Sequence, residues 1–418
     1  MSIIGSMYTA STALDAFGAS MAVMGHNIAN LNTAGFKASR VDFADVLPTT
    51  LGEIESGHGV LIADTQRVFT QGAFESTSNV TDLAIGGNGF FIVRDAAGGS
   101  YYSRAGQFQL DHAHNLVNAQ GYFLQGTAGN ISLAGQQTQP AQATATIDAS
   151  FNLDAGASTP LTSFPATLDA SQSAWSSASN FSMITPIYDT QGAAHDLNFF
   201  FRKTSPNTWE YRVSAARSEL DATAPNSTDL RQLGSGGTLR FDSNGSFNPA
   251  LSTIADISGL TWVNGAANQD IPAAGLRFAG STQYAKASTL TGFVQDGWPP
   301  GTLKSIDIDA QGNVRGLYSN GNAQLIDVIQ LAHFTNAANL DPFGDTLFLP
   351  TAESGAAQVG LPQSGGRGSI VSGALELSTV DLATEFVTMI ASQRAFQVNS
   401  QVIATADEMY SVAAELKA

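Results

Sequence analysis

The 418-residue sequence contains no cysteine. That excludes disulfides, thiolate catalysis and Cys-ligated zinc or iron–sulfur centres. Charge is scarce as well: Lys, Arg, Asp and Glu make up 13% of the chain, and 18 basic against 35 acidic residues leave a net charge of −17. A nucleic-acid backbone or an anionic membrane is thereby excluded as the main partner, since either needs a Lys/Arg patch. No apolar run approaches the roughly 20 residues of a membrane helix, so no membrane insertion is expected. Between Met1 and Phe36 there is no Lys or Arg and one carboxylate, Asp15. The basic n-region of a Sec signal is absent, and export would need another route.

Catalytic patterns are missing too. There is no Gly-x-Ser-x-Gly, His-Glu-x-x-His or P-loop, and the six His residues are scattered. Asp307-x-Asp309-x-Gln311-Gly312 opens like a calcium loop, but Tyr318 stands where the bidentate Glu belongs, so a strand-turn-strand is expected. His112 and His114 flank Ala113 beside Asp111 and read as turn residues. No enzyme, no cofactor and no metal site is expected.

What is present is 43% hydrophobic residues, including 24 Phe, enough for folded cores in two to four domains at roughly 100 to 200 residues each. Ile3, Met7, Ala10, Leu14, Phe17, Met21, Met24, Ile28 and Leu31 alternate steps of four and three, which predicts a helix with one apolar seam. It should end between Asn30 and Gly35, where Asn and Gly tolerate the left-handed conformation. Near the other end Leu382, Met389, Phe396, Ile403 and Tyr410 recur every seven residues, and neither Pro nor Gly interrupts 374–418. One long helix, capped near Ser378 or Thr379, is expected. Both seams lack flanking charges of the kind that pair simple two-stranded coils, which favours several packing neighbours.

Between the helices the chain alternates with period two and turns at Gly, Asn and Asp. Examples are Gly89-Phe90-Phe91-Ile92-Val93 after Gly86-Gly87-Asn88, and Leu197-Asn198-Phe199-Phe200-Phe201 after Asp189-Thr190-Gln191-Gly192. The expected fold is mainly β with terminal α-helices that pair as a coiled-coil-like assembly domain and bracket nested β domains. The expected divisions are a helical part at 1–33 and 372–418, a connecting segment at 34–70, a discontinuous β domain at 71–144 and 285–371, and an inserted β domain at 145–284. The low charge of the N-terminal helix reads as an assembly surface. The assembly residues are Ile3, Met7, Leu14, Phe17, Met21, Met24, Ile28 and Leu31, with Leu382, Met389, Phe396, Ile403 and Tyr410.

Several ordered segments resemble the axial proteins of the bacterial flagellum. Asn27-Ile28-Ala29-Asn30-Leu31-Asn32-Thr33-Ala34-Gly35-Phe36-Lys37 is similar to that family's signature, with Asn27, Asn30, Asn32, Thr33, Gly35, Phe36 and Lys37 as its motif residues. Thr81 to Phe91, Tyr102 to Phe108, Gly373 to Leu382 and Met389 to Phe396 are similar to further shared segments. Arg315-Gly316-Leu317-Tyr318-Ser319-Asn320-Gly321 and Leu331-Ala332-His333-Phe334 resemble the hook branch. Ser378-Thr379-Val380 departs from the family's frequent Ser-Asn-Val.

The resemblance implies a structural subunit that polymerises with itself into a curved, flexible tube and passes torque from rod to filament as a universal joint. It implies as partners the distal rod protein, the hook-filament junction protein, the hook cap protein and the flagellar type III export apparatus, at an extracellular location. The alternatives are a distal-rod protein with an enlarged outer domain, or a secreted β-rich adhesin with flagellar-type ends.

Overall fold

The computed structural model describes residues 3–46, 49–51, 54–56 and 59–415. Four α-helices lie among them: α1 (Ile3–Ala29), α2 (Gln172–Ser177), α3 (Arg217–Leu220) and α4 (Leu382–Glu415). Almost all other regular structure is β. No helix among the described residues is long and apolar enough to cross a membrane.

The chain forms two compact units. The first comprises Met1–Gln136, Ser305–Gly316 and Ala323–Ala418; the second comprises Gln137–Lys304 and Leu317–Asn322. The second therefore extends beyond 145–284 on both sides.

In the first unit α1 and α4 pack antiparallel. Asn27 of α1 donates to Glu385 of α4 at 2.9 Å, while Met7, Tyr8 and Ser11 share a cleft with Ile403, Asp407 and Tyr410. The α1 helix stops where expected, in turns at Asn30 and Thr33 followed by Gly35 at φ 70°. The start of α4 differs from expectation: Asp381, not Ser378 or Thr379, caps it, its carboxylate accepting from Thr384 N at 3.0 Å and its carbonyl from Glu385 N. The Thr379 hydroxyl is already engaged, accepting from Ala38 N at 2.9 Å.

The β portion of this unit centres on strand Phe90–Arg94, buried on both faces. Period-two alternation sends Phe91 and Val93 into a core with Leu83, Leu116, Leu124 and Leu331, and Phe90 and Ile92 into another with Tyr102, Phe334 and Phe348. Antiparallel neighbours Ser100–Ser103, Phe123–Gly126 and Leu331–His333 pair with it. A strand lined on both sides by apolar layers reads as a continuous apolar run, which explains Phe90-Phe91-Ile92-Val93.

In the second unit a five-stranded antiparallel sheet runs in the order Asp169–Ser171, Asp229–Arg240, Thr208–Ala216, Ala194–Ser205 and Phe181–Tyr188. Phe199 and Phe201 enter the main core with Trp209, Tyr211 and Phe151, whereas Phe200 faces the opposite side and stacks on Trp175 of α2, ring centroids 5.4 Å apart. In the first unit the expected strand-turn-strand around Asp309 forms: its carboxylate accepts from Gln311 N, Asn313 N and Asn313 Nδ2, and Arg315 pairs with Oδ2 at 3.2 Å. His114 sits in its turn at φ 65°.

Candidate assembly site

The segment Asn27 to Lys37 is the joint between α1, the chain that follows it and the approach to α4. Asn27 is buried; its amide donates to Ser39 O at 2.8 Å and to Glu385, and its Oδ1 accepts from Ser39 N at 3.0 Å. One side chain thus ties the end of α1 to the next strand and to α4. Asn30 Nδ2 donates to His26 O and its Oδ1 accepts from the Thr33 hydroxyl, closing the end of the helix. Gly35 donates to Glu376 O at 2.7 Å. A side chain there would need positive φ and would overlap the backbone of Ala105, so glycine is required on both counts. Phe36 is buried, edge-on to the His26 ring at 5.6 Å.

Lys37 is fully buried, and its ammonium donates to Thr70 O at 2.6 Å and to Glu376 Oε1 at 2.6 Å. Oε1 of Glu376 also accepts from Gly72 N at 2.8 Å, while its Oε2 meets Arg104 at 3.4 Å. Arg104 lies over the Phe90 ring at 5.3 Å. One carboxylate therefore joins two cations from distant parts of the sequence, with strand Ala374–Glu376 held beside Phe74–Ser76. Burial pushes the Lys37 ammonium and the Arg104 guanidinium below their ordinary values, and Glu376 opposes that shift at both. Asn32 is exposed and Thr33 half-buried, at the rim of a cleft of about 710 Å³ also lined by Arg67, Asn118 and Thr346. Glu376, Arg104 and Glu385 were not singled out from sequence, and Thr379 was read only as a helix cap.

The seam residues occupy several environments. Met24 is buried, and Met7, Leu14, Phe17, Met21, Ile28 and Leu31 are half-buried; the side chain of Ile3 lies outside the described residues. Between them the buried line of α1 consists of small or polar residues, Ala10, Ala13, Ala16, Ser20 and Asn27. On α4, Ser392 and Ala406 are buried, Met389 and Ile403 half-buried, and Leu382, Phe396 and Tyr410 exposed. A seven-residue repeat slips about 20° per heptad on a straight helix, so one stripe does not face one neighbour throughout.

A second stripe was not picked out as a seam. Val387 (68% exposed), Val398 (58%), Val402 (37%) and Met409 (55%) recur at intervals close to whole helical turns and form one line turned away from α1. With Phe386, Ile390 and Val412 they leave a long apolar face without a partner among the described residues.

Family comparisons meet this geometry from end to end. The model described as "Flagella basal body rod protein" matches residues 7–37, "Flagellar hook protein FlgE/F/G D1 domain" 84–155, "Flagellar basal body protein FlaE D2 domain" 152–298, and "Flagellar basal body rod FlgEFG protein C-terminal" 371–416. The chain is 35% identical over 420 residues to the flagellar hook protein FlgE of Salmonella typhimurium, covering 98% of this chain and 99% of that protein. With FlgE of Brucella suis it is 32% identical over 431 residues, covering 100% of both. The chain belongs to the flagellar hook protein family. FlgE of Treponema pallidum is 31% identical over 453 residues, covering 95% of this chain and 96% of that protein. The crystal structure of Helicobacter pylori flagellar hook protein FlgE2 shares the fold, with a TM-score of 0.53, 13% identity and coverage of 72% of this chain and 100% of that one. The hook family is a family of structural proteins, and its full-length matches favour neither the distal-rod nor the adhesin reading.

Proposed function

We propose that this protein is the hook subunit whose α1 and α4 form the wall of a curved tube, each helix pair being covered by helices of neighbouring copies. The observation that carries this reading is the unpartnered apolar face of α4. Its residues are too numerous and too regularly spaced for a helix that stays in solvent. In the polymer the Val387, Val398, Val402 and Met409 stripe is buried against a second copy, and the half-buried residues Met7, Leu14, Phe17, Met21, Ile28 and Leu31 complete the packing of α1, with Ile3 beside them in sequence. Leu382, Phe396 and Tyr410 serve the same contacts on α4. The joint built on Asn27, Gly35, Lys37 and Glu376 fixes how the helix pair leaves the β portion of its own unit.

As a flexible tube the polymer passes torque from rod to filament. It meets the distal rod protein at one end and the hook-filament junction protein at the other, grows beneath the hook cap protein, and receives subunits through the flagellar type III export apparatus. The absence of Cys suits that route. The second unit, which contains 145–284, serves as the outer domain. Electron microscopy of cells lacking the gene tests the assignment: the curved hook should disappear while the rod remains, and loss of the rod as well would overturn it.

A further inference from the structure

Within the second unit one histidine is held between two carboxylates. The Nδ1 atom of His195 lies 2.8 Å from Glu219 Oε2 on α3, and Nε2 lies 3.2 Å from Asp189 Oδ2 in the turn before its own strand. Its ring stacks on Trp262 with centroids 3.6 Å apart and planes 6° from parallel. The imidazole is 8% exposed and Asp189 fully buried, while Glu219 is 41% exposed. Each group also secures backbone. Asp189 Oδ1 accepts from Gln191 N and Ala193 N, and its Oδ2 accepts from Asn264 at 2.5 Å. Glu219 O accepts from Val263 N at 2.9 Å, and the Thr190 hydroxyl accepts from Ala267 N at 3.1 Å. The turn 189–193, α3 and the loop 261–267 therefore converge on one ring.

The chemistry of that ring depends on its proton. As an imidazolium it donates from both nitrogens, one to each carboxylate, and presents its charge to the Trp262 face. As a neutral ring it has one N–H, and the other nitrogen turns a lone pair toward a carboxylate oxygen. No compensating cation is at hand. The paired strand Phe181–Tyr188 and the loop 261–267 carry no charge, Asp196 is exposed on the alternate face of the strand, and Arg217 of α3 is paired with Asp169 and Asp221.

We propose that His195 is a proton-operated fastener: as an imidazolium it locks the loop 261–267 and α3 to the turn 189–193, and on losing its proton it releases them locally. Burial disfavours the charged ring, but the bonds to Glu219 and Asp189 outweigh it and raise His195 above its ordinary value of 6.5. A raised folded value means that the fastening is complete below 6.5 and is lost as pH rises through the raised value. The loop carries Thr261, Val263, Asn264, Gly265 and Ala267 exposed on the surface, so its release changes what this unit presents to solvent.

The test follows the His195 Cε1–H resonance of the full chain against pH, alongside hydrogen exchange of the backbone at 261–267 corrected for intrinsic rate. The expected result is a midpoint above 6.5 with loop protection falling at the same midpoint while the sheet stays protected. Glu219→Gln, at a half-exposed position, should lower both midpoints together by roughly one pH unit, and His195→Gln should make loop protection independent of pH. A midpoint at or below 6.5, loop protection that does not track the ring, or loss of protection by the whole unit at once would overturn the proposal.

Discussion

At the scale of single residues, Glu376 does the most for the joint, because two cations and two backbone groups from separate parts of the chain converge on it. Removing its carboxylate strands the Lys37 ammonium and the Arg104 guanidinium in a buried site. Glu376→Ala should therefore destabilise the first unit by about 3–5 kcal/mol, measured by denaturant unfolding. A change within about 0.5 kcal/mol would show that the network is not what holds the joint. The motif residues were legible as a set, but the partners of Lys37 were not. A buried ion pair joining positions 339 residues apart leaves no periodicity to read. Thr379 illustrates the same limit: its departure from the family pattern was visible, whereas its bond to Ala38 N required the fold.

Elements follow the sequence pattern where one face meets one core, and depart from it where neighbours differ along their length. The two layers around Phe90–Arg94 and the split roles of Phe199, Phe200 and Phe201 follow directly from period two. For the helices, the three-four spacing located α1 and α4. The most buried positions of α1 are instead mainly Ala10, Ala13 and Ala16, small residues that a search for large apolar side chains passes over. Phe17 is half-buried, with its ring 5.9 Å from Phe43 on strand Ser39–Asp45. Phe17→Asp should block polymerisation in a sedimentation assay while circular dichroism keeps its strand signature; normal polymers from the mutant would remove α1 from the assembly contacts.

Hydrogen bonds from Arg231 hold the Asp169 carboxyl below 3.8, and those from Thr223, with Arg217 and Arg231 behind them, depress Asp221 further. Depressed folded values stabilise the protein above 3.8, and that stability is lost as pH falls through them. The second unit should melt at progressively lower temperature as pH drops below 3.8, and Arg231→Leu should flatten that dependence in calorimetry. An unchanged slope would discount the Arg231 pairs.

For the molecule as a whole, the scarcity of charge in α1 goes with apolar groups left open on α4. The helices carry apolar groups that the described residues do not cover, and under the proposed function a polymer covers them. The sequence pattern located the two terminal helices. It did not separate the side of α4 used within the chain from the side left open, because a residue's apolarity is the same whichever helix covers it. Val387 and Val398 make that separation testable, since both are well exposed and stand on the side away from α1. The most direct measurement is negative-stain electron microscopy of polymers grown from the full chain and from the double variant Val387→Asp, Val398→Asp, with circular dichroism confirming equal folding. The full chain should give curved tubes and the variant none; curved tubes of normal form from the variant would contradict the account.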